Sequence, residues 1–243
     1  METAQLPVRP AVEVHQLTKR FQWRDRWFRL REVTALNQLS FQVAPGKACG
    51  ILGPNGSGKS TLLRILSTVL LPTSGTAWVA GFPISRANPI KRQLGVVPCQ
   101  VTGFSHRLSG RENLKFFAAL HSLPPHSIQR RLDQLLELLG LDPLGEKPFW
   151  TYSTGERQRL NLARGLIHDP SLCLFDEPTR SLDPWTAGSL RQWIRSELVG
   201  KQGKTILIAS NQKEDITDVC DHALLLRQGQ RVWQGPAEEV KNL

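Results

Sequence analysis

The chain has 243 residues, of which 40% are hydrophobic, 21% charged, 19 glycine and 16 proline, and this composition excludes disordered and collagen-like proteins. Its net charge of +10 favours acidic partners such as nucleotides, nucleic acid or anionic lipid. The 4 cysteines form no CxxC pair, which disfavours zinc ribbons and disulfide scaffolds. No apolar run approaches about 18 residues, so a cytoplasmic protein that does not span a membrane is predicted.

Strand and helix patterns alternate from the start of the chain. Residues 12–17 and 39–43 alternate apolar and polar side chains as strands do, and the apolar run 48–52 predicts a short buried strand before a glycine-rich turn. Apolar residues at helical spacing over 62–70 predict a helix that Pro72 ends. This half of the chain therefore predicts strands followed by a helix.

The middle of the chain is predicted to be helical. Within 107–141, one helix carries Leu114, Phe117 and Leu120 on one face, and a second covers 128–139. The elements predicted after them are a helix at 156–168, a strand at 172–175, a helix at 187–199, a strand at 205–209 and a hairpin of 223–226 with 231–233. The order predicts one α/β core with a helical insert.

A complete phosphate-binding pattern follows the strand at 48–52. The template G-x-x-x-x-G-K-[ST] is filled, and the residues expected to bind nucleotide are Gly53, Pro54, Asn55, Gly56, Ser57, Gly58, Lys59, Ser60 and the next residue Thr61. Glycines let successive N–H groups point at an anion, and the following helix directs its N-terminus at the same phosphates. Lys59 is expected to reach the β- and γ-phosphates, and Ser60 to offer its hydroxyl to Mg²⁺. Binding of ATP or GTP is predicted.

Two carboxylates end the predicted strand at 172–175. Asp176 is expected to hold Mg²⁺, because a carboxylate after an apolar strand has this role in phosphate-loop sites. Glu177 follows directly and would face the γ-phosphate as the general base for the attacking water. The sequence therefore predicts nucleotide hydrolysis.

A third motif, Tyr152-Ser-Thr-Gly-Glu-Arg-Gln-Arg159, opens a predicted helix between these two half-sites. It resembles the signature motif of ABC-transporter ATPases, commonly LSGGQ, with Ser153 and Gly155 kept and Thr154 and Glu156 departing from the commonest form. In that family the signature binds ATP held by a second subunit in a head-to-tail dimer. The resemblance implies a dimer of this chain with itself or with a homologous ATP-binding subunit.

The resemblance covers nearly the whole chain. The run DEPTRSLDP, residues 176–184, is similar to the family's Mg-site strand end and D-loop, the latter represented by Ser181 and Asp183. Phe21 stands where the family places an aromatic side chain that stacks on adenine, and Trp23 is a nearby competitor.

The family resemblance implies a fold and a domain organisation. The expected α/β fold is a P-loop NTPase core, with a mixed sheet and flanking helices, plus an antiparallel β subdomain and an inserted helical subdomain. One ATP-binding domain would cover 1–243, with the catalytic core at about 1–98 and 157–243 and the helical subdomain at about 99–156.

The resemblance also implies an activity. The chain would bind ATP and Mg²⁺ and power separate transmembrane permease subunits from the inner face of the cell membrane, and residues 96–123 look most like exporter subunits of the ABC-2 type. Two alternatives stay open. The first is an ABC ATPase that acts on nucleic acid, which the basic charge would suit, although the sequence has neither tandem ATPase domains nor a coiled-coil arm. The second is a non-hydrolysing regulatory subunit that pairs with an active relative.

Two departures from the family pattern affect the expected mechanism. Cys99 stands between Pro98 and Gln100, so either Gln100 serves the Q-loop role towards nucleotide and Mg²⁺ from one position later, or this contact is altered. Asn211 stands at the family's switch histidine and can donate to the γ-phosphate but cannot titrate. Hydrolysis is therefore expected to be slow or to depend on a partner subunit.

A basic and aromatic stretch occupies residues 19–31. Six Lys or Arg side chains are interleaved with Trp23, Trp27 and Phe28 against the single Asp25. Our hypothesis is a loop that extends beside the nucleotide site and lies near the membrane or the transmembrane partner, and the alternative is a solvated surface loop.

Overall fold

The computed structural model of the protein describes residues 9–24 and 26–242. Its strands are β1 Val12–Arg24, β2 Leu30–Val43, β3 Ala48–Leu52, β4 Ser74–Val79, β5 Phe82–Pro83, β6 Leu94–Val97, β7 Leu172–Asp176, β8 Thr205–Ser210, β9 His222–Arg227 and β10 Gln230–Pro236. Its α-helices are α1 Lys59–Leu66, α2 Ala87–Gln93, α3 Gly110–Leu120, α4 Pro125–Leu138, α5 Thr154–Leu166, α6 Pro184–Trp193 and α7 Lys213–Thr217. A π-helical segment, Ile194–Lys201, continues α6.

The larger sheet brings together the strand ends that carry the predicted site. Its six strands have the order β10-β9-β3-β8-β7-β6, and all neighbours are parallel except β10 with β9. Leu52 pairs with Ser210, and Asp176 pairs with Ala209. The carboxyl ends of β3, β8 and β7 therefore meet at one edge, which is where open α/β sheets bind their ligands.

Both faces of this sheet are covered. Every residue of β3 and β8 is buried, and the side chains alternate between two apolar cores because successive residues of a strand point to opposite faces. Ile51 and Leu207 lie in one core with α1 and the smaller sheet, and Ile206 lies in the other with α3, α4 and α5. The smaller sheet is antiparallel, in the order β2-β1-β4-β5. The predicted fold class is confirmed.

The helices α3 and α4 lie within the predicted insert. A reciprocal cap begins α3, because the Glu112 N–H donates to Ser109 Oγ at 3.1 Å and the Ser109 N–H donates to Glu112 Oε2 at 2.7 Å. Leu114 is fully buried, but Leu120, predicted on the same face, is 65% exposed. That prediction was wrong because steps of three residues drift off a helical period of about 3.6.

Two other predicted elements have different bounds. The stretch 19–31 is not a loop, because β1 and β2 continue through most of it and Arg24 pairs with Leu30. The helix predicted over 62–70 ends at Leu66, and Thr68 has a positive φ of 61° that a helix cannot contain. The periodicity over 62–70 therefore located a helix but not its end, and the basic and aromatic composition of 19–31 did not reveal the strands that continue through it.

A stacked histidine pair, of which His168 is half-buried and His121 exposed, is expected to make the stability of the fold depend on pH. His168 stacks on His121 with ring centroids 3.8 Å apart and its Nε2 lies 3.2 Å from the Leu94 carbonyl oxygen. Burial, together with the neighbouring His121 and Arg131, lowers the pKa of His168 from 6.5 to about 4, against the opposing effects of the Leu94 carbonyl and Asp169. The unfolded chain therefore binds more protons than the folded chain between these pH values.

Acidification from pH 6.5 towards 4 is therefore expected to lower the urea concentration at the midpoint of unfolding. The His168→Gln variant keeps a donor for the Leu94 carbonyl and cannot titrate, so its midpoint should fall less over the same range. His222→Gln, which changes an exposed histidine, is the matched control and should behave as the wild type. Equal acid sensitivity of the wild type and the His168 variant would contradict the assignment.

Candidate functional site

The phosphate loop connects β3 to α1 and curls around a buried ammonium group. Lys59 is only 5% exposed, and its Nζ donates to the Gly53 carbonyl at 2.7 Å and to the Pro54 carbonyl at 3.2 Å. Gly58 precedes α1 without any side-chain cap. The first N–H groups of α1 therefore face the loop without a capping side chain, as the phosphate-binding prediction requires.

Two glycines of this loop have no room for a side chain. Gly58 has a φ of 105°, and a Cβ there would overlap the Ala35 carbonyl of β2. A Cβ on Gly53 would lie 2.5 Å from the Leu226 carbonyl of β9. The loop is therefore held between strands of both sheets, and Ser57 Oγ is buried within it without a hydrogen-bond partner among the described residues.

The predicted carboxylates lie beside the loop at the end of β7. Ser60 Oγ donates to Asp176 Oδ1 at 3.1 Å, and Glu177 Oε1 lies 4.0 Å from Lys59 Nζ. Glu177 adopts a positive φ of 49°, and its N–H donates to the Ala209 carbonyl of β8 at 2.7 Å. A non-glycine residue in this conformation is uncommon and is often found at functional sites.

Burial perturbs both kinds of charge at the site. It lowers the pKa of Lys59, against the opposing effect of Glu177 and Asp176, and it raises the pKa of Asp176 against the hydrogen bond from Ser60. Burial has removed water from both the charged ammonium of Lys59 and the charged carboxylate of Asp176, and a ligand of opposite charge would replace that water. The arrangement can therefore bind an anion at Lys59 and a cation at Asp176.

A cavity of about 510 Å³ is lined by most of the residues predicted to bind nucleotide or metal or to act in catalysis. The predicted residues that line it are Asn55, Gly56, Gly58, Lys59, Ser60, Thr61, Gln100, Asp176 and Glu177. Among the described residues predicted to bind nucleotide or metal or to act in catalysis, those outside its lining are Phe21, Gly53, Pro54, Ser57 and Asn211. Both Cys99 and Gln100 line the cavity, so either side chain is positioned near the site for the Q-loop role.

Sequence reasoning missed Arg180, which also lines this cavity. Its Nη1 donates to Cys99 Sγ at 3.2 Å and lies 3.4 Å from Glu177 Oε2. Glu177 is thus flanked by two cations, Lys59 at one oxygen and Arg180 at the other. The sequence feature that could have indicated Arg180 is its position three residues after Glu177, within the run DEPTRSLDP at 176–184.

The aromatic candidates lie on the hairpin of β1 and β2. Phe21 pairs with Val33, is 37% exposed and has the Lys19 ammonium 5.1 Å from its ring centroid. Trp23 pairs with Arg31 and is 50% exposed. Because Ala35 of β2 lines the cavity, Phe21 lies on the part of the hairpin closer to the site than Trp23 does.

The signature segment, residues 153–156, begins α5 away from the phosphate-loop cavity. The Glu156 N–H donates to Ser153 Oγ at 3.3 Å, and the Ser153 N–H donates to Glu156 Oε2 at 2.7 Å. Glu156 therefore completes a helix cap, which explains a carboxylate at this position. Thr154 lines a separate cavity of about 470 Å³ together with Ser181 and Arg180.

The helix α5 is tied to both halves of the site. Gln158 donates to the Pro178 carbonyl at 2.9 Å, and Asn161 donates to the Pro98 carbonyl at 3.0 Å. These bonds couple the signature segment to the segment after Glu177 and to the segment before Cys99. The three segments are therefore in direct contact through α5.

The remaining predicted residues lie in the segment between β7 and α6 and directly after β8. Asp183 begins α6 by accepting from the Thr186 N–H at 3.0 Å, and this hydrogen bond lowers the pKa of Asp183. Ser181 has a positive φ of 64°. Asn211 is exposed directly after β8, whose last residue, Ser210, pairs with Leu52 before the phosphate loop.

The chain is similar to proteins of known families in sequence. A family model described as ABC transporter matches residues 36–180. The ABC transporter ATP-binding protein NatA of Bacillus subtilis is 34% identical over 86% of this chain and 84% of its own length. The daunorubicin resistance ATP-binding protein DrrA3 of Streptomyces coeruleorubidus is 38% identical over 85% of this chain and 65% of its own length. The Nod factor export ATP-binding protein I of Ralstonia nicotianae is 35% identical over 95% of this chain and 68% of its own length.

Solved structures show the same likeness. The protein cbiO1 from Clostridium perfringens, part of the ABC transporter complex cbiONQ, superposes with a TM-score of 0.81 at 26% identity, over 96% of this chain and 91% of its own. A dimeric ATP-binding cassette bound to ADP and Pi superposes with a TM-score of 0.83 at 22% identity, over 93% of this chain and 98% of its own. The second likeness concerns the fold alone.

Proposed function

The chain belongs to the ABC transporter family as an ATP-binding protein, and we propose that it hydrolyses MgATP in the cavity between its phosphate loop and the end of β7. The family's ATP-binding domains hydrolyse ATP and power a separate permease. The observation that carries the site assignment is the meeting of Lys59, Ser60, Asp176 and Glu177 around one cavity.

In this proposal Lys59 and the start of α1 bind the phosphates. The Lys59 ammonium donates to two loop carbonyls, but burial has removed the water that would otherwise stabilise its positive charge. A negatively charged phosphate oxygen would replace that stabilisation. The α1 N–H groups, which have no capping side chain, add further donors. Phe21 would stack on the adenine from the hairpin side.

The residues around Asp176 fit Mg²⁺, which we include in the proposed site. Carboxylate and hydroxyl oxygens are the ligands this ion prefers, and it commonly takes one or two protein ligands together with phosphates and waters. Ser60 and Asp176 supply such a pair, 3.1 Å apart, and Gln100 lines the same cavity. When bound, the ion would neutralise charge on the phosphates.

Glu177 is the proposed general base. A water between Glu177 and the γ-phosphate would give its proton to the carboxylate as it attacks, and Lys59 and Arg180 hold that carboxylate from both sides. Asn211 would donate to the γ-phosphate from the end of β8, where it cannot take part in proton transfer.

The proposed catalytic unit contains two chains. Within one chain the signature segment lies outside the phosphate-loop cavity, yet its Ser153 and Gly155 begin a helix whose N-terminus suits a phosphate. We propose that they contact ATP bound by a second copy or a homologous subunit, with Ser181 and Asp183 between the two sites. The division into a core at about 1–98 and 157–243 and a helical subdomain at about 99–156 is part of the same proposal.

The proposed partner is a transmembrane permease of an exporter. DrrA3 and the Nod factor export protein carry resistance and export in their names, and cbiO1 is part of a transporter complex. No helix within residues 9–24 and 26–242 is long and apolar enough to cross a bilayer. We therefore propose that the chain binds the permease peripherally, at the cytoplasmic face of the membrane.

Phosphate release from MgATP across a range of protein concentrations tests the proposal. The rate per chain is expected to rise with concentration, because dimers complete the site, and to vanish in Lys59→Ala. Lys115→Ala, which changes an exposed lysine of α3, should keep the wild-type rate. Release no faster than in Lys59→Ala at every concentration would contradict hydrolysis by this chain alone and favour a subunit that needs an active relative.

A further inference from the structure

The hairpin of β1 and β2 extends beyond the sheet to which it belongs. β4 pairs with β1 only from Val12 to Thr18, whereas the pairing of β1 with β2 continues to Arg24 and Leu30. All described residues in 21–24 and 26–34 are exposed. A two-stranded ribbon without a third strand is marginally stable in water, so this one is expected to gain from a binding partner.

The hairpin tip, which we define as residues 22–24 and 26–33, exposes large apolar side chains. Those with at least half of their surface exposed are Trp23 at 50%, Trp27 at 81%, Phe28 at 79%, Leu30 at 65% and Val33 at 50%. Several such side chains within one short segment form an apolar patch, which in a soluble domain commonly marks an interaction site.

The same tip is basic. Arg24, Arg26, Arg29 and Arg31 are all exposed within it. Glu32, on the opposite strand from Gln22, accepts from the Gln22 amide at 2.6 Å and lies 3.7 Å from Arg20, so its charge is countered locally. The surface the tip presents to a partner therefore combines aromatic rings with excess positive charge.

We propose that the hairpin tip docks on the surface of an anionic lipid bilayer. Trp and Phe side chains prefer the boundary between headgroups and acyl chains, and arginines are attracted to anionic headgroups. Single-stranded nucleic acid also binds basic and aromatic surfaces, but by stacking on rings, and the exposed aliphatic side chains of Leu30 and Val33 offer no ring. Charge and aliphatic exposure together favour the bilayer.

This inference rests on the proposed function, which puts the chain beside a membrane, but its test needs neither ATP nor a permease. Co-sedimentation of the full chain is measured with phosphatidylcholine vesicles with and without phosphatidylglycerol. Binding is expected only with phosphatidylglycerol, and each arginine in contact should contribute roughly a fivefold change in partition coefficient at low salt. Arg24→Gln/Arg26→Gln/Arg29→Gln should therefore lose most of the binding, and Trp27→Ser/Phe28→Ser should lose the part that resists high salt.

Matched controls separate the tip from general charge and hydrophobicity. Trp185→Ser removes a tryptophan that is also 81% exposed, and Arg92→Gln/Arg107→Gln/Arg130→Gln removes the same amount of exposed charge elsewhere. Both should bind vesicles as the wild type does. Wild-type binding by both tip variants, or retention on single-stranded RNA but not on vesicles, would overturn the proposal. MgATP hydrolysis by the same samples reports on the proposed function independently.

Discussion

The Glu177→Gln variant is expected to release phosphate from MgATP about a hundred- to ten-thousandfold more slowly than the wild type. The substitution keeps the size and shape of the side chain and one oxygen acceptor, but an amide cannot take the proton of the attacking water. Lys59 and Arg180 would then face a neutral group in place of the carboxylate between them. Affinity for ATP should therefore be kept or increased, because repulsion between the carboxylate and the γ-phosphate is removed.

The binding side of this prediction separates the role of Glu177 from a merely structural one. With ATP the variant should accumulate as a dimer in size-exclusion chromatography, because bound ATP is no longer consumed. Glu137→Gln, at an exposed position of α4, makes the same chemical change and should keep wild-type hydrolysis. A Glu177 variant that kept more than about a tenth of the wild-type rate would show that another group accepts the proton.

The sequence predicted the phosphate loop and the central strands because each depends on local pattern. The glycines around Lys59 and the apolar run 48–52 impose a strand, a turn and a helix start without help from distant residues. Asp176 and Glu177 were found for the same reason, since they follow an apolar strand. The structure adds that these segments meet, with Ser60 and Asp176 joined by a hydrogen bond.

What the sequence did not reveal depends on contacts between distant segments. Arg180 reaches Cys99, which is 81 positions away in the chain, and no local pattern encodes that meeting. The sequence predicts a loop where the hairpin extends, because its arginines and aromatic residues suit a solvated segment as well as a strand exposed on both faces. The bounds of α1 were missed because Val69, 72% exposed, continues the apolar spacing without continuing the helix.

Equal mixing of two inactive variants, Lys59→Ala and Gly155→Asp, is expected to restore hydrolysis to about a quarter of the wild-type rate. The first variant lacks the phosphate-binding ammonium but keeps its signature segment, and the second keeps its phosphate loop. If the signature acts on ATP bound by the other chain, each mixed dimer contains one complete site. Half of randomly formed dimers are mixed, and one of the two sites in each is active.

The Gly155→Asp substitution suits this test because it should block phosphate without unfolding α5. The nearest atoms to a Cβ at Gly155 are Thr186 Cγ2 at 3.7 Å and Leu182 Cδ2 at 3.8 Å, which is ordinary packing distance. An added carboxylate in the first turn favours the helix but repels an incoming phosphate. Each variant alone is expected to lose at least about a hundredfold in rate.

The controls distinguish a shared site from a site within one chain. Gly188→Asp, in α6, has room for a side chain, with Arg191 Nη2 4.0 Å from the added Cβ, and should keep wild-type activity. A mixture no more active than its two components would mean that the signature segment serves its own chain or no chain at all. Restored activity that disappears on dilution would instead show that hydrolysis requires a dimer in which Lys59 of one chain and Gly155 of the other form one site.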